Sequence, residues 1–458
     1  MIILIFRGHL KSPSLSMRRS LVKKCLIFGN NSDYLFNFYK KIFPFCTSRF
    51  SPYIGFMIIT IVMARYNREE LAIFSYFTAL FALPVTILSM PLAMIGNLVT
   101  SGQRDGKSGG AIFLSGIPLG IILSISGFFI SWIIGDFFLN VYEKESYQVY
   151  IYCVPFLIFN NYLFFFIESF ISSGFIAKIK ALLSLLSSLF IASIAFYLSD
   201  IKAIDVFWSF LFIEVSFLFF YGGVIFYKKI DWNLKEINYK RITSQLIKFG
   251  SPIAIGLAGQ KLVYFLLTQR LMGINPLYVS DLSVIMSVIG LISIPVGAFS
   301  QIHSLFVSER KLSEQYVFFK VGLFLILLIC LITMLLLSIF MKEIMMLYGN
   351  SALLNNTPVY ISIFLLFITS SYMQLGMSHL RAINDTFIPQ GVANIVLIIL
   401  FLPIIWMPSF NNMNVSSFII VQAACLFIIC LFLFLRVKNK ALSQVGVSRI
   451  DLLGSNKG

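Results

Sequence analysis

Long, continuous apolar segments follow one another along almost the whole chain, separated by short polar connections. Most are about 20 residues or longer, which is the length that an α-helix needs to cross a bilayer. Transmembrane strands would show alternating segments of about ten residues instead. We predict an all-α polytopic membrane protein with about twelve helical spans, near residues 42–64, 71–99, 111–134, 148–172, 175–198, 203–227, 249–272, 279–305, 317–340, 358–380, 387–407 and 415–436.

The predicted spans divide into two similar halves. Pro44 and Pro84 in the first half have counterparts at Pro252 and Pro295, roughly 210 residues further along the chain. A pathway between two related bundles is a common transporter design. We therefore predict two pseudo-symmetric six-helix bundles, and the chain divides into a basic tail (1–41), the first bundle (42–227), a polar linker (228–248), the second bundle (249–436) and a final tail (437–458).

Composition agrees with the pattern, since 59% of the residues are hydrophobic and only 12% are charged. A soluble domain would carry roughly 25% charged residues. The formal net charge of +16 would indicate nucleic-acid binding in a soluble protein. Here the basic residues lie between apolar segments, as they do in cytoplasmic loops of membrane proteins. We expect membrane lipid, and no nucleic acid, among the partners of this chain.

The polar connections alternate between a basic set and an acidic set. The basic set includes the N-terminal tail, the 228–248 linker and the C-terminal tail, whereas Glu69, Glu143, Asp205 and Glu343 belong to the other set. Lysine and arginine collect on the cytoplasmic side of membrane proteins. We expect both termini in the cytoplasm and a multi-pass location in a bacterial inner membrane.

Four charged residues lie within the apolar segments: Arg49, Glu168, Glu214 and Lys261. A charge at the bilayer centre costs about 2.5–3.5 kcal/mol or more on insertion scales, so such residues usually face a cavity or a partner. Arg49 and Glu168 lie nearer the helix ends, where snorkelling to the interface competes with a role in the pathway. Glu214 and Lys261 lie nearer mid-helix, which favours a pathway role.

Burial favours the protonated form of a carboxyl group. Glu214 is therefore the first candidate for proton coupling and Glu168 the second. Arg49 and Lys261, one in the first helix of each half, would suit an anionic substrate if they face a shared cavity. The adjacent Asn160 and Asn161 offer polar contacts either to a solute or between helices.

Prolines inside apolar segments predict helix bends at Pro84, Pro91 and Pro295. Each proline removes one backbone hydrogen bond, and the bend serves either packing or a rocking motion. His303 and His379 lie near the cytoplasmic ends of two predicted spans, where we expect hydrogen-bonded interface residues.

The chain carries no motif for enzymatic chemistry. No catalytic triad, metal-ligand cluster or GxxxxGK[ST] phosphate loop occurs, and the six cysteines form no CxxC pair. We therefore expect no enzyme, no ATPase and no cofactor. Transport would draw on an H⁺ or Na⁺ gradient or on the gradient of the substrate itself, and we expect a monomer.

Three stretches resemble the multidrug and toxic compound extrusion (MATE) family of the multidrug/oligosaccharidyl-lipid/polysaccharide exporter superfamily. They are IVMARYNREELAIFSYFTALFALPVTILSMPLAM (61–94), the region 248–309 with KFGSPIAIGLAGQKLVYFLLTQRLMG and SVIGLISIPVGAFSQIHSLFVSE, and HLRAINDTFIP (379–389). The resemblance implies a V-shaped pair of bundles that exports a solute by antiport with H⁺ or Na⁺.

The chain departs from that family where its members often carry an acid in helix one, seven or ten. The corresponding residues are Ile59 or Thr60, Gln260 and Gln374, none of which can release a proton. We include Gln260 and Gln374 among the pathway candidates. The principal alternative is a flippase for lipid-linked oligosaccharide such as O-antigen, from the same superfamily, whose substrate would be anionic. A membrane glycosyltransferase would need a long external loop, and a passive scaffold would not need the charges in the spans.

Overall fold

The structure is a computed structural model that describes residues 32–104, 108–138, 144–171, 175–198, 201–228, 230, 232, 237–308, 312–349, 353, 356–383 and 385–454. Helices make up nearly all of this part of the chain, and it contains no strand. Ten of the described helices are long and apolar enough to cross a membrane, and a shorter apolar helix covers Tyr53–Tyr66. The predicted all-α polytopic fold is confirmed.

Helices coincide with every predicted span. The first half contains α1 (Ser32–Tyr66), α2 (Arg68–Ala93), α3 (Ile95–Arg104), α4 (Gly109–Phe138), α5 (Lys144–Ile171), α6 (Phe175–Leu198) and α7 (Ala203–Tyr227). The second half contains α8 (Tyr239–Ile274), α9 (Pro276–Ser308), α10 (Leu312–Leu347), α11 (Thr357–Ala382), α12 (Phe387–Val396), a π-helical turn (Leu397–Phe401), α13 (Leu402–Ile405), a 3₁₀ turn (Pro408–Asn412) and α14 (Val415–Gly454).

Several helix ends lie outside the predicted spans. Helix α1 begins at Ser32 rather than at residue 42, α8 begins at Tyr239 within the predicted linker, and α14 continues to Gly454. Hydropathy marks only the part of a helix that matches the bilayer. The helix continues into polar sequence as long as the backbone hydrogen bonds continue and no strong stop signal intervenes.

Two predicted spans are interrupted helices. The second is divided between α2 and α3 at Met94, shortly after Pro91. The eleventh contains a π-helical turn just before Pro403, whose missing N–H cannot continue the normal hydrogen-bond ladder. The prolines therefore mark real irregularities of the membrane helices.

Asparagine side chains begin two of the helices that line the contact between the halves. Asn67 accepts a hydrogen bond from the backbone N–H of Glu70 at the start of α2, at 3.2 Å. Asn238 accepts one from the N–H of Arg241 at the start of α8, at 2.9 Å. Both caps satisfy amides that a helix start leaves without an intrahelical partner.

Each half of the chain folds as a helix bundle. In the first bundle α5 packs against α2, α4 and α7, while α6 lies along α1. In the second, α11 packs against α9, α10 and α14. The bundles meet where α2 lies along α8 and α1 lies along α9. The first helix of each half thus contacts the second helix of the other, as pseudo-twofold symmetry requires. We call this contact the seam.

Candidate functional site

Polar contacts cross the seam at the predicted external end of the bundles. Arg68, the first residue of α2, forms an ion pair with Asp281 near the start of α9. Two turns further along α2, Ser75 accepts a hydrogen bond from the hydroxyl of Ser283, with 2.6 Å between the oxygen atoms. Both contacts join residues of different bundles and close the seam at this end.

Tyr53 of α1 makes a third contact across the seam. Its hydroxyl donates to the backbone carbonyl of Ser287 in α9. A Cβ atom at Gly290 would lie only 2.2 Å from the Tyr53 oxygen, so a side chain at this position would displace Tyr53. The Ser287 hydroxyl lies 2.8 Å from that of Tyr348, which connects the seam to the end of α10.

Helices α2 and α8 also touch near the predicted cytoplasmic end. A Cβ atom at Gly250 would lie 2.3 Å from the Cα atom of Pro91, so the two backbones approach as closely as a glycine permits. Pro84 and Pro91 are both buried in α2, whereas Pro295 is half-buried in α9. Of the three predicted bends, that at Pro91 therefore lies on the seam itself.

A polar cluster occupies the interior of the first bundle. The side-chain amide of Asn160 in α5 donates to a carboxylate oxygen of Glu214 in α7 and to the Glu214 backbone carbonyl, both at 2.8 Å. Asn160 is 2% exposed, and its own Oδ1 atom is buried without a hydrogen-bond partner. The structure thus brings together two of the residues that the sequence singles out.

Lys180 of α6 completes this first-bundle cluster. Its ammonium group lies 4.5 Å from the centre of the Phe164 ring, close enough to Glu214 for electrostatic attraction. The sequence analysis did not single out Lys180, which lies close to the start of its predicted span. Glu168 and Asn161 are half-buried on α5, and the hydrogen bonds described above do not include them.

The polar candidates of the second bundle lie on α8. Gln260 is half-buried and Lys261 is exposed. One turn earlier, the carbonyl of Gly256 accepts a hydrogen bond from the side chain of Asn394 in α12, at 3.1 Å. Asn394 was not among the predicted site residues. The GLAG sequence, whose small residues allow another helix to approach closely, is the signal that would have found it.

The predicted pairing of Arg49 with Lys261 stays a prediction. The backbone of Arg49 belongs to α1, but its side chain lies outside the part of the chain that the structure describes. The exposure of Lys261 is compatible either with a cavity or with the lipid interface.

Gln374 lies beside a cavity of about 290 Å³ between α9 and α11. Ser300, Ser378 and Arg381 also line this cavity. The sequence pointed to Gln374 alone. The other residues were missed because serines are common in membrane helices and Arg381 lies in a basic connection, so neither pattern is specific.

His303 and His379 form a buried pair that the sequence did not predict. Their ring nitrogens Nε2 and Nδ1 are 3.1 Å apart, and the residues are 0% and 1% exposed. The Phe319 ring of α10 lies 4.8 Å from that of His379. The expectation that each histidine is hydrogen-bonded at a helix interface agrees with this geometry. Their contact with each other joins α9 to α11.

The HLRAINDTFIP stretch is held by an ion pair. Both carboxylate oxygens of Asp385 accept hydrogen bonds from Arg436 of α14, at 2.7 and 3.0 Å. The Asp385 backbone N–H also donates to the Leu380 carbonyl at 2.8 Å. A bidentate pair of this kind fixes geometry as well as charge. The motif therefore anchors the connection between α11 and α12.

Among the described residues, no three His, Cys, Asp or Glu side chains lie close enough together to hold a metal ion. In the part of the chain that the structure describes, the polar groups that could contact a solute or an ion include those of the first-bundle cluster, the α8 surface and the cavity beside Gln374.

Comparison with solved structures identifies the fold. An inward-facing structure of a multidrug resistance MATE family transporter of the MOP superfamily is similar over 87% of this chain and 98% of its own, with a TM-score of 0.67 and 13% sequence identity. A MOP superfamily transporter from Pyrococcus furiosus, described as having a binding pocket of reverse polarity, gives a TM-score of 0.59 at 14% identity, over 87% of this chain and 96% of its own.

An outward-facing structure of a multidrug resistance MATE family transporter of the MOP superfamily is similar over 87% of this chain and 96% of its own, with a TM-score of 0.57 and 14% identity. No protein-family profile and no curated protein matches the sequence. At these identities the similarity defines the fold. The chain is a multi-pass membrane protein with the two-bundle fold of the MATE transporters.

Proposed function

We propose that this protein is a secondary transporter of a bacterial inner membrane, with both termini cytoplasmic, that exports a solute by alternating access. The seam carries this proposal. Its external end is closed by an ion pair and by hydroxyl contacts between different bundles, and water can replace such contacts at little net cost when the bundles separate. Buried apolar side chains pack continuously through both bundles, and the Phe38–Phe299 and Tyr76–Phe265 ring pairs also cross the seam, so polar contacts form only part of it.

The solved structures support the same motion. They contain the fold in both inward-facing and outward-facing arrangements. In this account the protein is a monomeric carrier and catalyses no covalent chemistry.

The first-bundle cluster is our candidate for ion coupling, with H⁺ as the preferred ion and Na⁺ as the alternative. In the ionised state, Glu214 accepts from the Asn160 amide, as observed. In the protonated state it must donate instead. The buried Oδ1 atom of Asn160 has no partner. After rotation of the amide group, it would accept a hydrogen bond from the protonated carboxyl group of Glu214. Asn160 can therefore satisfy both charge states of Glu214.

A flippase for lipid-linked oligosaccharide is the second candidate. The cavity that ends at Arg381 favours an anionic substrate over a cationic drug, and Lys261 would add to this charge if it faces a cavity. Transport assays in proteoliposomes separate the two. Ethidium efflux supports the drug exporter, whereas translocation of a fluorescent lipid-linked oligosaccharide supports the flippase.

The test of alternating access uses the Ser75–Ser283 contact and needs no knowledge of the substrate. In a variant lacking the six native cysteines, Ser75→Cys and Ser283→Cys place two thiols across the closed seam. We expect oxidation to form a disulfide that locks the external end. In the single variant Ser75→Cys, a thiol reagent supplied from outside should label the cysteine only while the bundles are open at this end.

The two single-cysteine variants serve as controls for oxidation damage. Rapid disulfide formation with loss of outside labelling, reversed by reduction, supports the proposal. If Ser75→Cys is never labelled from outside under any ion gradient, the seam does not open and alternating access is wrong.

A further inference from the structure

The cavity between α9 and α11 has a composition unlike the surrounding membrane interior. Its lining includes Ser300, Gln301 and Ser304 from α9, and Gln374, Ser378 and Arg381 from α11. Arg381 is the only charged residue among the described residues that line it, and none of these is acidic. A polar cavity with a single cation and no counter-charge is suited to a negatively charged group.

Hydrogen-bond donors in this cavity remain available. Ser300 is 3% exposed, and its buried hydroxyl has no hydrogen-bond partner. An unpaired buried polar group costs free energy unless a ligand or water satisfies it. Ser378 already donates to the Leu375 carbonyl at 2.9 Å, so its oxygen can only accept. Ser300, the Gln374 amide and the Arg381 guanidinium remain as donors to a ligand.

The shape of the cavity limits what it can hold. Its volume of about 290 Å³ lies near the lower end of the range for small-molecule sites, roughly 300–1,000 Å³. Gln374 and Arg381 are two helical turns apart, so the lining extends about 10 Å from the predicted cytoplasmic end into the bundle. This space accommodates the head group of a larger solute or a small organic anion.

We propose that this cavity is a loading site for a phosphate-bearing anion that enters from the cytoplasmic side. Arg381 forms charge-assisted hydrogen bonds with the phosphate oxygens, while Ser300 and Gln374 donate from deeper positions. The inference rests on the proposed transport function and specifies its substrate class. The phosphate belongs either to a soluble compound or to the head group of a lipid.

Binding to the purified full-length protein tests the proposal. Inorganic pyrophosphate and geranyl pyrophosphate are titrated by calorimetry in detergent, and each is tested as a competitor of the other. Arg381→Gln should weaken binding at least about tenfold, because it removes the charge, and Ser300→Ala should weaken it about threefold. The matched control is Lys320→Gln, which removes an exposed cation of α10 from the same end of the bundle.

Each result decides one question. Binding of both probes with a loss in Arg381→Gln supports a soluble phosphorylated substrate, and binding of geranyl pyrophosphate alone supports a lipid-linked one. If neither probe binds, or if Arg381→Gln behaves like Lys320→Gln, the anion site is wrong. The Ser75–Ser283 disulfide assay is independent of these probes, so alternating access can stand while the anion site fails.

Discussion

At the scale of single residues, the protein joins polar side chains in pairs within an apolar interior. Asn160 bonds to Glu214, His303 to His379, and Asp385 to Arg436. Hydrogen-bonded pairs lower the cost of placing polar groups in the membrane. Glu214 and Asn160 could be selected from the sequence because they interrupt apolar segments. His303 and His379 were also noted in the sequence, but their contact with each other could not be predicted, since they are 76 residues apart.

Replacing Glu214 tests the coupling role. Glu214→Gln keeps a hydrogen-bonding side chain but cannot exchange a proton. We expect the protein to insert and fold, while transport in proteoliposomes loses its dependence on a pH gradient. Glu168→Gln tests the second candidate, which is half-buried on α5, in the same assay. Unchanged pH-gradient dependence in both variants would exclude proton coupling through the first bundle.

The histidine pair should stabilise the second bundle. His303→Leu leaves the Nδ1 atom of His379 without its partner, which we expect to cost about 1–3 kcal/mol. His379→Leu should have a similar effect. The double variant should cost less than the sum, because both partners are then absent. Chemical unfolding in detergent measures the three values, and strictly additive losses would argue against the interaction.

At the scale of helices, the seam depends on close approach of backbones. Gly250 lies against the backbone of Pro91, where a side chain cannot simply rotate away. The sequence predicts a bend at Pro91, but it does not indicate that a glycine of another helix packs there. This contact follows only from the packing of α2 against α8.

We expect Gly250→Ala to push α2 and α8 apart near the predicted cytoplasmic end and so to favour the arrangement in which the external end is closed. The added Cβ atom would lie 2.3 Å from the Cα atom of Pro91, so the backbones must shift. The Ser75→Cys, Ser283→Cys disulfide at the external end should therefore form several-fold faster in this background. Gly273→Ala is the control on the same helix, because its Cβ would have nothing within 4 Å. Equal disulfide rates in the two backgrounds would contradict the account.

At the scale of the whole molecule, the helices form two bundles whose contacts follow a pseudo-twofold pattern. The two-bundle fold agrees with that of MATE transporters over 87% of the chain. The fold does not determine the orientation in the membrane. The proposed orientation, with both termini cytoplasmic, rests on the distribution of lysine and arginine between the two sets of connections.

Reporter fusions test the orientation. Alkaline phosphatase fused after Gly458 should be inactive, because this enzyme folds only outside the cytoplasm, whereas green fluorescent protein at the same point should fluoresce. A phosphatase fusion placed after Gly349, which follows α10 at its predicted external end, should be active. An active phosphatase at the C-terminus would invert the proposed topology.

The sequence by itself determined the membrane class and the approximate position of every span. The bilayer requires each backbone polar group to bond within its own helix, so apolar length predicts helices directly. The spacing of prolines indicated the repeat, and residues such as Glu214 and Asn160 marked polar positions in the interior. The helix ends at Ser32 and Gly454 were missed, because a helix can continue where hydropathy falls.

Only the tertiary structure decided which residues meet. Arg68 and Asp281 are 213 positions apart, and the lining of the cavity at Arg381 comes from two different helices. In a soluble protein, an apolar stripe would indicate which face of each helix turns inward. Here both the lipid-facing and the bundle-facing sides of a helix are apolar, so the sequence does not fix its rotation. The partners of each polar residue follow from how the helices pack.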